Sequence, residues 1–251
     1  MRRKVIAFDL DGTLAESKAA LTDEMAEVLN ELLTKFQVCV ISGGKFEQFE
    51  KQLLANLKAD PIKAEALHLM PTCGTRYYRF DIISSEWQKI YAEDFTKDEK
   101  DTIIAALNDG LDALGMREAK PWGNIIEDRG SQVTLSALGQ EAPVKDKEDW
   151  DPDNSKKQKL RDYVAEQIPQ FEVRSGGSTS IDVTKLGIDK AYGMQRLMDI
   201  LQVTKDEILF FGDRLTEGGN DYPVKAMGID ALEVSHWQHT LIALRAILAT
   251  V

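Results

Sequence analysis

Two acidic residues end an apolar run near the start of the chain. Val5 to Phe8 is typical of a buried strand, Asp9 follows directly, and Asp11 stands two positions later, before a Gly-Thr pair that allows a tight turn. Like charges at a strand end repel each other unless a cation or ligand lies between them. Here Asp9 can attack phosphorus as a nucleophile, and Asp11 can exchange a proton with the leaving and entering oxygens.

Polar residues also end two later apolar runs. "QVCVIS" ends at Ser42, before Gly43 and Gly44, and "EILFFGD" ends at Asp213, with Asp221 further along the same loop. Ligand crevices in parallel sheets lie beyond the carboxyl ends of the strands, so these groups converge if the strands are neighbours. The hydroxyl and two glycine N–H groups can hold phosphoryl oxygens. The clustered carboxylates favour Mg²⁺, which prefers oxygen ligands.

Each feature also has an ordinary interpretation. D-x-D-G and Ser-Gly-Gly occur in plain turns, and Lys190, at a predicted helix start, is either a solvated lysine or a cation that offsets charge on the nucleophile and phosphate. An EF-hand loop starting at Asp9 fails, because Leu14 falls where Gly is required and Ala20 where Glu is required. The joint order of these groups at strand ends and a helix start favours phosphoryl transfer.

Strand and helix patterns alternate at both ends of the chain and change in the middle. The alternation stops after about Gly74 and returns from about Gly187, with hairpin and antiparallel patterns between. We therefore predict an α/β fold: a Rossmann-like parallel-sheet core, residues 1–83 and 187–251, with an inserted α+β cap domain, residues 84–186. Within the insertion, Thr96 and Glu99 predict a capping box, and the polar segment 139–157 predicts a loop.

Composition and charge limit the partners. The 251 residues carry a formal net charge of −11, which argues against a nucleic-acid ligand but allows a small anionic substrate at a local cationic site. No apolar run approaches the roughly 18 residues of a membrane span, and the short run after the basic start predicts no secretory signal. Cys39 and Cys73, without a C-x-x-C motif, favour a reduced, cytoplasmic setting.

In this order, "DLDGT", "VISGG", "GIDKAYG" and "FFGDRLTEGGND" resemble the four motifs of the haloacid dehalogenase superfamily, and the insertion resembles the large α+β cap of its second class. The resemblance implies four site residues: nucleophile Asp9, general acid/base Asp11, phosphate binder Ser42 and the motif-three lysine, Lys190. It also implies a Mg²⁺ site formed by the Asp9 side chain, the Asp11 backbone carbonyl and Asp213, with Asp221 acting on the metal or its waters.

Within that superfamily, the long "GDRLTEGGND" loop is similar to that of eukaryotic-type phosphomannomutases. The segment "SGGSTSIDVTKLGIDKAYGM" is similar to the one that joins cap to core in those enzymes. By this resemblance, Ser180 and Asp182 contact sugar hydroxyls, and Arg129 is the first of the phosphate-binding arginines of the cap.

Three positions depart from the mutase pattern. Gln140 stands where a second cap arginine is expected, Lys147 falls near the third, and Lys18 replaces an arginine close to the nucleophile. Glutamine has no charge and lysine is only a point charge, so a distal phosphate is gripped less firmly than by the planar fork of arginine. The alternative is that Gln140 and Lys147 are exposed loop residues without a role in binding.

These departures favour a Mg²⁺-dependent sugar phosphatase, in which water attacks phosphorylated Asp9. The alternative is a phosphomannomutase or phosphoglucomutase, in which a sugar hydroxyl attacks. A third hypothesis is a non-catalytic binding protein on the same fold, against which the intact acidic residues and Lys190 argue. The expected partners are a small phosphorylated sugar and a second copy of the chain, forming a homodimer through the cap.

Overall fold

The computed structural model describes residues 3–250, in two compact units. One unit runs to Ala92 and resumes at Asp189; the other is Glu93–Ile188. The strands are β1 (Val5–Phe8), β2 (Gln37–Ile41), β3 (Leu67–Met70), β4 (Arg76–Asp81), β5 (Glu86–Ala92), β6 (Ile126–Asp128), β7 (Gln132–Ser136), β8 (Phe171–Ser175), β9 (Ser180–Lys185), β10 (Ile208–Gly212) and β11 (Asp230–Glu233).

The α-helices of the described chain vary from one to five turns. They are α1 (Asp23–Leu32), α2 (Phe46–Phe49), α3 (Ala55–Leu57), α4 (Pro61–Glu65), α5 (Lys97–Ala113), α6 (Val144–Trp150), α7 (Ser155–Gln167), α8 (Lys190–Leu201), α9 (Tyr222–Ala226) and α10 (Trp237–Leu248). A π-helical turn, Glu50–Leu54, joins α2 to α3. Across the described helices, none combines the length and the apolar composition that a bilayer crossing requires.

The first unit contains a seven-stranded sheet in the order β11-β10-β1-β2-β3-β4-β5. The first five strands in this order, from β11 to β3, are parallel to one another. Strands β4 and β5 extend the sheet beyond β3, and each is antiparallel to the strand before it. The predicted Rossmann-like parallel core is therefore confirmed. Strand β1 lies in its middle, because β2 follows on one side and β10, from the far end of the chain, pairs on the other.

Both faces of this sheet are buried, which explains why its central strands are continuously apolar. Ile6 and Phe8 of β1 pack in one cluster with α1 and α10, whereas Val5 and Ala7 pack in another with α8. Cys39 is a buried, unpaired core residue of β2, as its apolar surroundings in the sequence suggested. The acidic groups that follow these strands are thus attached to a close-packed, rigid base.

The second unit is an α+β domain, as predicted. Its four-stranded antiparallel sheet has the order β6-β7-β9-β8. One face is apolar and packs on α5 and α7, while alternate residues place polar side chains on the other face. Helix α5 begins with the predicted capping box of Thr96 and Glu99.

The structure differs from the prediction at one domain boundary and in one segment predicted as a loop. The first unit extends to Ala92 rather than residue 83, because β5 pairs with β4 along its length and so belongs to the seven-stranded sheet. The return to the first unit, at Asp189, lies within two residues of the predicted position. The polar segment predicted as a loop contains α6, whose predominantly charged sequence gives no apolar stripe to reveal a helix.

A fully buried histidine links three strands of the first unit. His68 lies in β3, its Nε2 is 2.7 Å from Gln37 Oε1, and its Nδ1 is 2.7 Å from the Tyr77 hydroxyl. Because the glutamine oxygen can only accept, Nε2 carries the hydrogen and Nδ1 accepts from the tyrosine. Burial, helped by the charge of Arg79, lowers the pKa of His68 to about 3.

This depressed pKa predicts a specific loss of stability in mild acid. Between pH 6.5 and about 3 the unfolded chain binds a proton at His68 and the folded chain does not, so folding becomes less favourable as pH falls through 6.5. From pH 7 to 5 we expect a contribution of about 2 kcal/mol to the lost unfolding free energy. Urea denaturation of wild type and of His68→Gln, each at pH 7 and at pH 5, measures this contribution. Between the two pH values the variant should lose about 2 kcal/mol less unfolding free energy than wild type. Equal losses in the two proteins would contradict the lowered pKa of His68.

Candidate active site

Three strand ends bring polar groups to one edge of the seven-stranded sheet. Asp9 follows β1, Ser42 follows β2 and Asp213 follows β10, and β1 is hydrogen-bonded to both neighbours in register. The Asp9 N–H continues the ladder by donating to the carbonyl of Phe211 at 2.9 Å. The convergence expected from the sequence therefore occurs, and it depends on pairing between residues about two hundred positions apart.

Lys190 lies between two carboxylates at the centre of this edge. Its Nζ is 2.5 Å from Asp9 Oδ1 and 2.6 Å from Asp221 Oδ1, and all three side chains are buried. The lysine is the first residue of α8, whose N-cap, Asp189, accepts a hydrogen bond from the Tyr192 N–H at 3.0 Å. The N-cap thus fixes the residue at which α8 begins, and with it the position of the Lys190 ammonium group.

The charges of this cluster do not balance. Burial raises the pKa of Asp9 to about 7; Lys190 opposes the rise, while Asp221 and Asp213 add to it. Burial lowers the pKa of Lys190, but attraction to Asp9 and Asp221 outweighs burial and raises it, so this lysine stays charged. In an isolated ion pair the pKa of Asp9 would fall; we attribute its rise to burial together with two further carboxylates and only one ammonium group.

This excess of negative charge fits a divalent cation. Carboxylate oxygens of Asp9, Asp213 and Asp221 lie within 4.8 Å of one another, an all-oxygen donor set suited to a hard cation. Gly12 permits the arrangement, since its φ of +80° is left-handed and a Cβ there would lie 2.6 Å from Asp213 Oδ2. Three of the four predicted metal residues therefore come together through their side chains.

The loop after β2 is shaped by its own serine. The Gly44 N–H donates to Ser42 Oγ at 3.1 Å, so this N–H, predicted to face a phosphoryl oxygen, is engaged within the loop. Helix α2 starts only at Phe46, two residues beyond the glycines. Ser42 Oγ acts as an acceptor in this bond, so its hydroxyl hydrogen remains available as a donor.

A strained turn supports that loop from behind. The N–H groups of Thr72 and Cys73 donate to the carbonyls of Gly44 and Ser42, both at 2.9 Å. Thr72 and Cys73 have φ angles of 49° and 55°, which are unusual for residues with side chains. Gly193 of α8 packs against this turn, and a Cβ at Gly193 would lie 2.7 Å from the Cys73 carbonyl oxygen. Backbone strain at such a position is typical of functional sites.

Asp11 is held by the Lys18 backbone and by two glutamines that the sequence analysis did not single out. Its Oδ2 accepts from Gln48 Nε2 at 2.8 Å, and its Oδ1 accepts from Gln52 Nε2 at 3.1 Å and from the Lys18 N–H at 2.7 Å. Lys18 therefore contacts Asp11 through its backbone, and its side chain is exposed. The signal that was missed is a series of amides, Gln48, Gln52 and Asn56, at four-residue helical spacing.

The predicted sugar-binding residues of the second unit lie on the polar face of its sheet. Ser180 and Asp182 are two residues apart in β9 and so share that face. Asp182 Oδ1 accepts a hydrogen bond of 2.6 Å from the Thr134 hydroxyl of β7. Arg129 Nε is 2.8 Å from Glu127 Oε2, so a phosphate bound by this arginine would compete with a carboxylate.

Gln140 and Lys147 also come together within the second unit. Lys147 Nζ donates to the backbone carbonyl of Gln140 at 3.1 Å, and both residues are half-buried, unlike freely exposed loop residues. The Gln140 amide nitrogen is buried, and no described residue accepts a hydrogen bond from it. It is thus an unsatisfied donor that is shielded from solvent in this structure.

The family of the chain follows from this architecture and from sequence comparison. A family model described as haloacid dehalogenase-like hydrolase matches residues 6–223, so the chain belongs to that family. This confirms the resemblance found in the four motifs. Two similar proteins are a phosphomannomutase from Encephalitozoon cuniculi and phosphomannomutase 1 from Homo sapiens, each 26% identical. The alignments cover 88% and 89% of this chain and 84% of each relative.

Solved structures share the fold. An IMP-nucleotidase from Plasmodium falciparum with bound IMP superposes with a TM-score of 0.71 at 17% identity, over 99% of this chain and 68% of that one. A haloacid dehalogenase-like hydrolase from Bacteroides thetaiotaomicron gives 0.67 at 15% identity, over 98% and 100%. At such identities the likeness concerns the fold alone.

Removal of the central ammonium should destabilise the protein strongly. Lys190→Met leaves two buried carboxylates without their shared partner, and we expect a loss of about 3–5 kcal/mol in unfolding free energy. Urea denaturation at pH 8 measures this loss. The matched control Lys225→Met removes an exposed lysine and should change stability by less than about 0.5 kcal/mol. Similar effects for both variants would contradict a central role of the Lys190 pairs.

Proposed function

We propose that the protein transfers a phosphoryl group of a sugar phosphate through an aspartyl-phosphate on Asp9, with Mg²⁺ as cofactor. The observation that carries the proposal is the buried group of Asp9, Lys190 and Asp221 beside Asp213 at the strand ends. Perturbed ionisable residues gathered in this way are typical of catalytic sites. Phosphoryl transfer needs mainly alignment and charge stabilisation, which this group supplies.

The orientation of Asp9 suits nucleophilic attack. Lys190 engages Oδ1, and among the described residues no hydrogen bond reaches Oδ2, so Oδ2 is the attacking atom. It forms a bond to phosphorus while the bond from phosphorus to the sugar oxygen breaks. The Ser42 hydroxyl and Lys190 hold phosphoryl oxygens during this transfer. When bound by Asp9, Asp213, Asp221 and the Asp11 carbonyl, Mg²⁺ would offset the charge of the carboxylates and the phosphoryl group.

Asp11 handles the protons of both half-reactions. It gives a proton to the leaving sugar oxygen as Asp9 becomes phosphorylated. It takes a proton from the acceptor as the acceptor oxygen bonds to phosphorus and the bond to Asp9 breaks. The two-residue separation across the Gly12 turn is what lets one carboxylate attack while the other exchanges protons.

We propose a sugar hydroxyl as the acceptor, which makes the protein a hexose-phosphate mutase. Support comes from relatives named phosphomannomutase, which align over most of both chains. Their names favour the mutase over the phosphatase that the cap substitutions suggested. We propose Arg129, Ser180 and Asp182 as sugar-phosphate-binding residues of the second unit, where a ligand would compete with Glu127 and Thr134. The proposal includes a hexose phosphate as substrate, a homodimer through the cap and a cytoplasmic setting.

Hydrolysis is the second candidate, and Gln140 favours it. This residue stands in place of a phosphate-binding arginine and offers one neutral, buried amide nitrogen instead of a charged fork. Loss of one charge-assisted hydrogen bond weakens binding by roughly tenfold to hundredfold. A sugar monophosphate held less firmly would dissociate before its hydroxyl takes the phosphoryl group from Asp9. Water would then attack that phosphorus, break its bond to Asp9 and release inorganic phosphate.

An assay of both products distinguishes the two acceptors. Mannose 1-phosphate is supplied with Mg²⁺, with and without a hexose 1,6-bisphosphate, and hexose 6-phosphate and inorganic phosphate are measured. A mutase should form hexose 6-phosphate at least tenfold faster than phosphate once the bisphosphate is present. Phosphate release without the bisphosphate would instead establish hydrolysis. Asp9→Asn should lower either rate by at least about 10³-fold; absence of any turnover by wild type would favour the non-catalytic hypothesis.

Magnesium affinity should depend on Asp213. Asp213→Asn removes one charged ligand, and we expect the Kd for Mg²⁺, measured by calorimetry, to rise by roughly tenfold or more. The Mg²⁺ concentration needed for half-maximal turnover should rise in parallel. Asp206→Asn, at an exposed position of the same unit, is the matched control and should leave the Kd unchanged. Unaltered Mg²⁺ affinity in Asp213→Asn would exclude this residue as a ligand.

A further inference from the structure

A stripe of three amide side chains joins the helical segment after β2 to the loop after β1. Gln48, Gln52 and Asn56 are spaced by four residues along α2, the π-helical turn and α3. Gln48 and Gln52 donate to the Asp11 carboxylate, whereas Asn56 Nδ2 donates to the Leu21 carbonyl at 2.7 Å. Only the first two therefore touch the carboxylate to which we assign proton transfer.

Gln52 is anchored so that its amide has one possible orientation. Its Nε2 donates both to Asp11 Oδ1, at 3.1 Å, and to the Ala19 carbonyl, at 2.9 Å. Both partners accept only, so a flipped amide would place oxygen against oxygen. Its backbone carbonyl also accepts from the Leu21 N–H at 2.8 Å. The Gln52 Oε1 atom is buried without a partner, a cost that an apolar residue would avoid.

Gln48 is placed by the loop that carries Ser42. A Cβ on Gly44 would lie 2.0 Å from Gln48 Oε1, so the glutamine carbonyl occupies the space that any other residue at position 44 would fill. The amide nitrogen of Gln48 is thereby directed at Asp11 Oδ2, 2.8 Å away. The phosphate-binding loop and the Asp11 carboxylate are therefore linked through one side chain.

The hydrogen bonds leave the two Asp11 oxygens unequal. Each carboxylate oxygen can accept about two hydrogen bonds. Oδ1 accepts two, from the Lys18 N–H and from Gln52, and is filled. Oδ2 accepts one, from Gln48, and keeps one acceptor position. The acceptor position that remains is therefore on Oδ2, the oxygen that the hydrogen bond from Gln48 orients.

We propose that Gln48 and Gln52 are positioning residues that direct the remaining acceptor position of Asp11 Oδ2 at the reacting oxygen. This inference rests on the proposed function. In the first half-reaction the proton on Oδ2 moves to the sugar oxygen as its bond to phosphorus breaks and the Asp9–phosphorus bond forms. In the second, the acceptor hydroxyl gives its proton to Oδ2 as its oxygen bonds to phosphorus. No proton is gained or lost over the cycle.

Leaving-group dependence tests this role. An alkyl phosphate, such as glycerol 2-phosphate or a hexose phosphate, needs a proton on its leaving oxygen, whereas p-nitrophenyl phosphate does not. The ratio kcat/KM reports only the steps up to formation of phosphorylated Asp9, so discharge of the intermediate does not mask the effect. For Gln48→Leu and Gln52→Leu we expect at least a tenfold loss on the alkyl ester and less than a threefold loss on the aryl ester.

Asn56→Leu is the matched control, since it removes an amide of the same stripe that does not touch Asp11. It should lower kcat/KM for both esters by less than threefold. Melting temperatures are measured for all three variants, and Gln48→Leu, at the half-buried position, is the variant least expected to affect folding. If Asn56→Leu reproduces the selective loss on the alkyl ester, the stripe acts by general support of the loop and the proposal is wrong.

Equal losses on the two esters, or no loss on either, in a folded Gln48→Leu protein would also overturn the positioning role. Failure of the proposed function has a different outcome. In that case wild type would turn over neither ester, or its turnover would survive Asp9→Asn. If wild-type turnover depends on Asp9 but the glutamine variants lose activity equally on both esters, the proposed function stands and only the positioning role is rejected.

Discussion

The site depends on one ammonium group between two buried carboxylates. Lys190 reaches Asp9 and Asp221 without exposure to water, and a buried charge with so little solvation is tolerated only when its partners are fixed. Asp221 is fixed in turn, since its Oδ2 accepts from the Arg214 N–H and its own N–H donates to the Arg214 carbonyl. Each group is costly alone; together they hold the Asp9 carboxylate in one orientation and leave negative charge for a cation to balance.

The sheet explains how distant parts of the chain meet at this point. Strand β1 leads directly to Asp9, and its two neighbours come from opposite ends of the sequence: β2 follows through α1, and β10 follows the 93–188 unit. A second domain can be inserted without disturbing the site because the chain returns to the first unit at Asp189, directly before Lys190. Gly74 and Gly193, which approach closely, let α8 pack against the turn behind the Ser42 loop.

The two faces of the sheet in the second unit differ in character. The sheet separates an apolar face, which holds the fold, from a polar face whose side chains are already partly paired, as with Arg129 and Glu127 or Asp182 and Thr134. Such pairing keeps polar groups satisfied before a ligand arrives, at the cost of exchanging hydrogen bonds on binding. The Thr184 hydroxyl of β9 and the Gln140 amide nitrogen, by contrast, are buried without a partner among the described residues.

The sequence by itself determined the order of the motifs, the parallel core and the capped helix α5, because apolar runs, acidic strand ends and caps are local patterns. It also indicated that Asp9, Ser42, Lys190 and Asp213 belong together. Only the tertiary structure placed β5 in the core sheet and turned Gln48 and Gln52 toward Asp11. Strand pairing and side-chain hydrogen bonds across tens of residues are chosen by packing of the folded chain, and a polar residue on a helix carries no local sign of its partner.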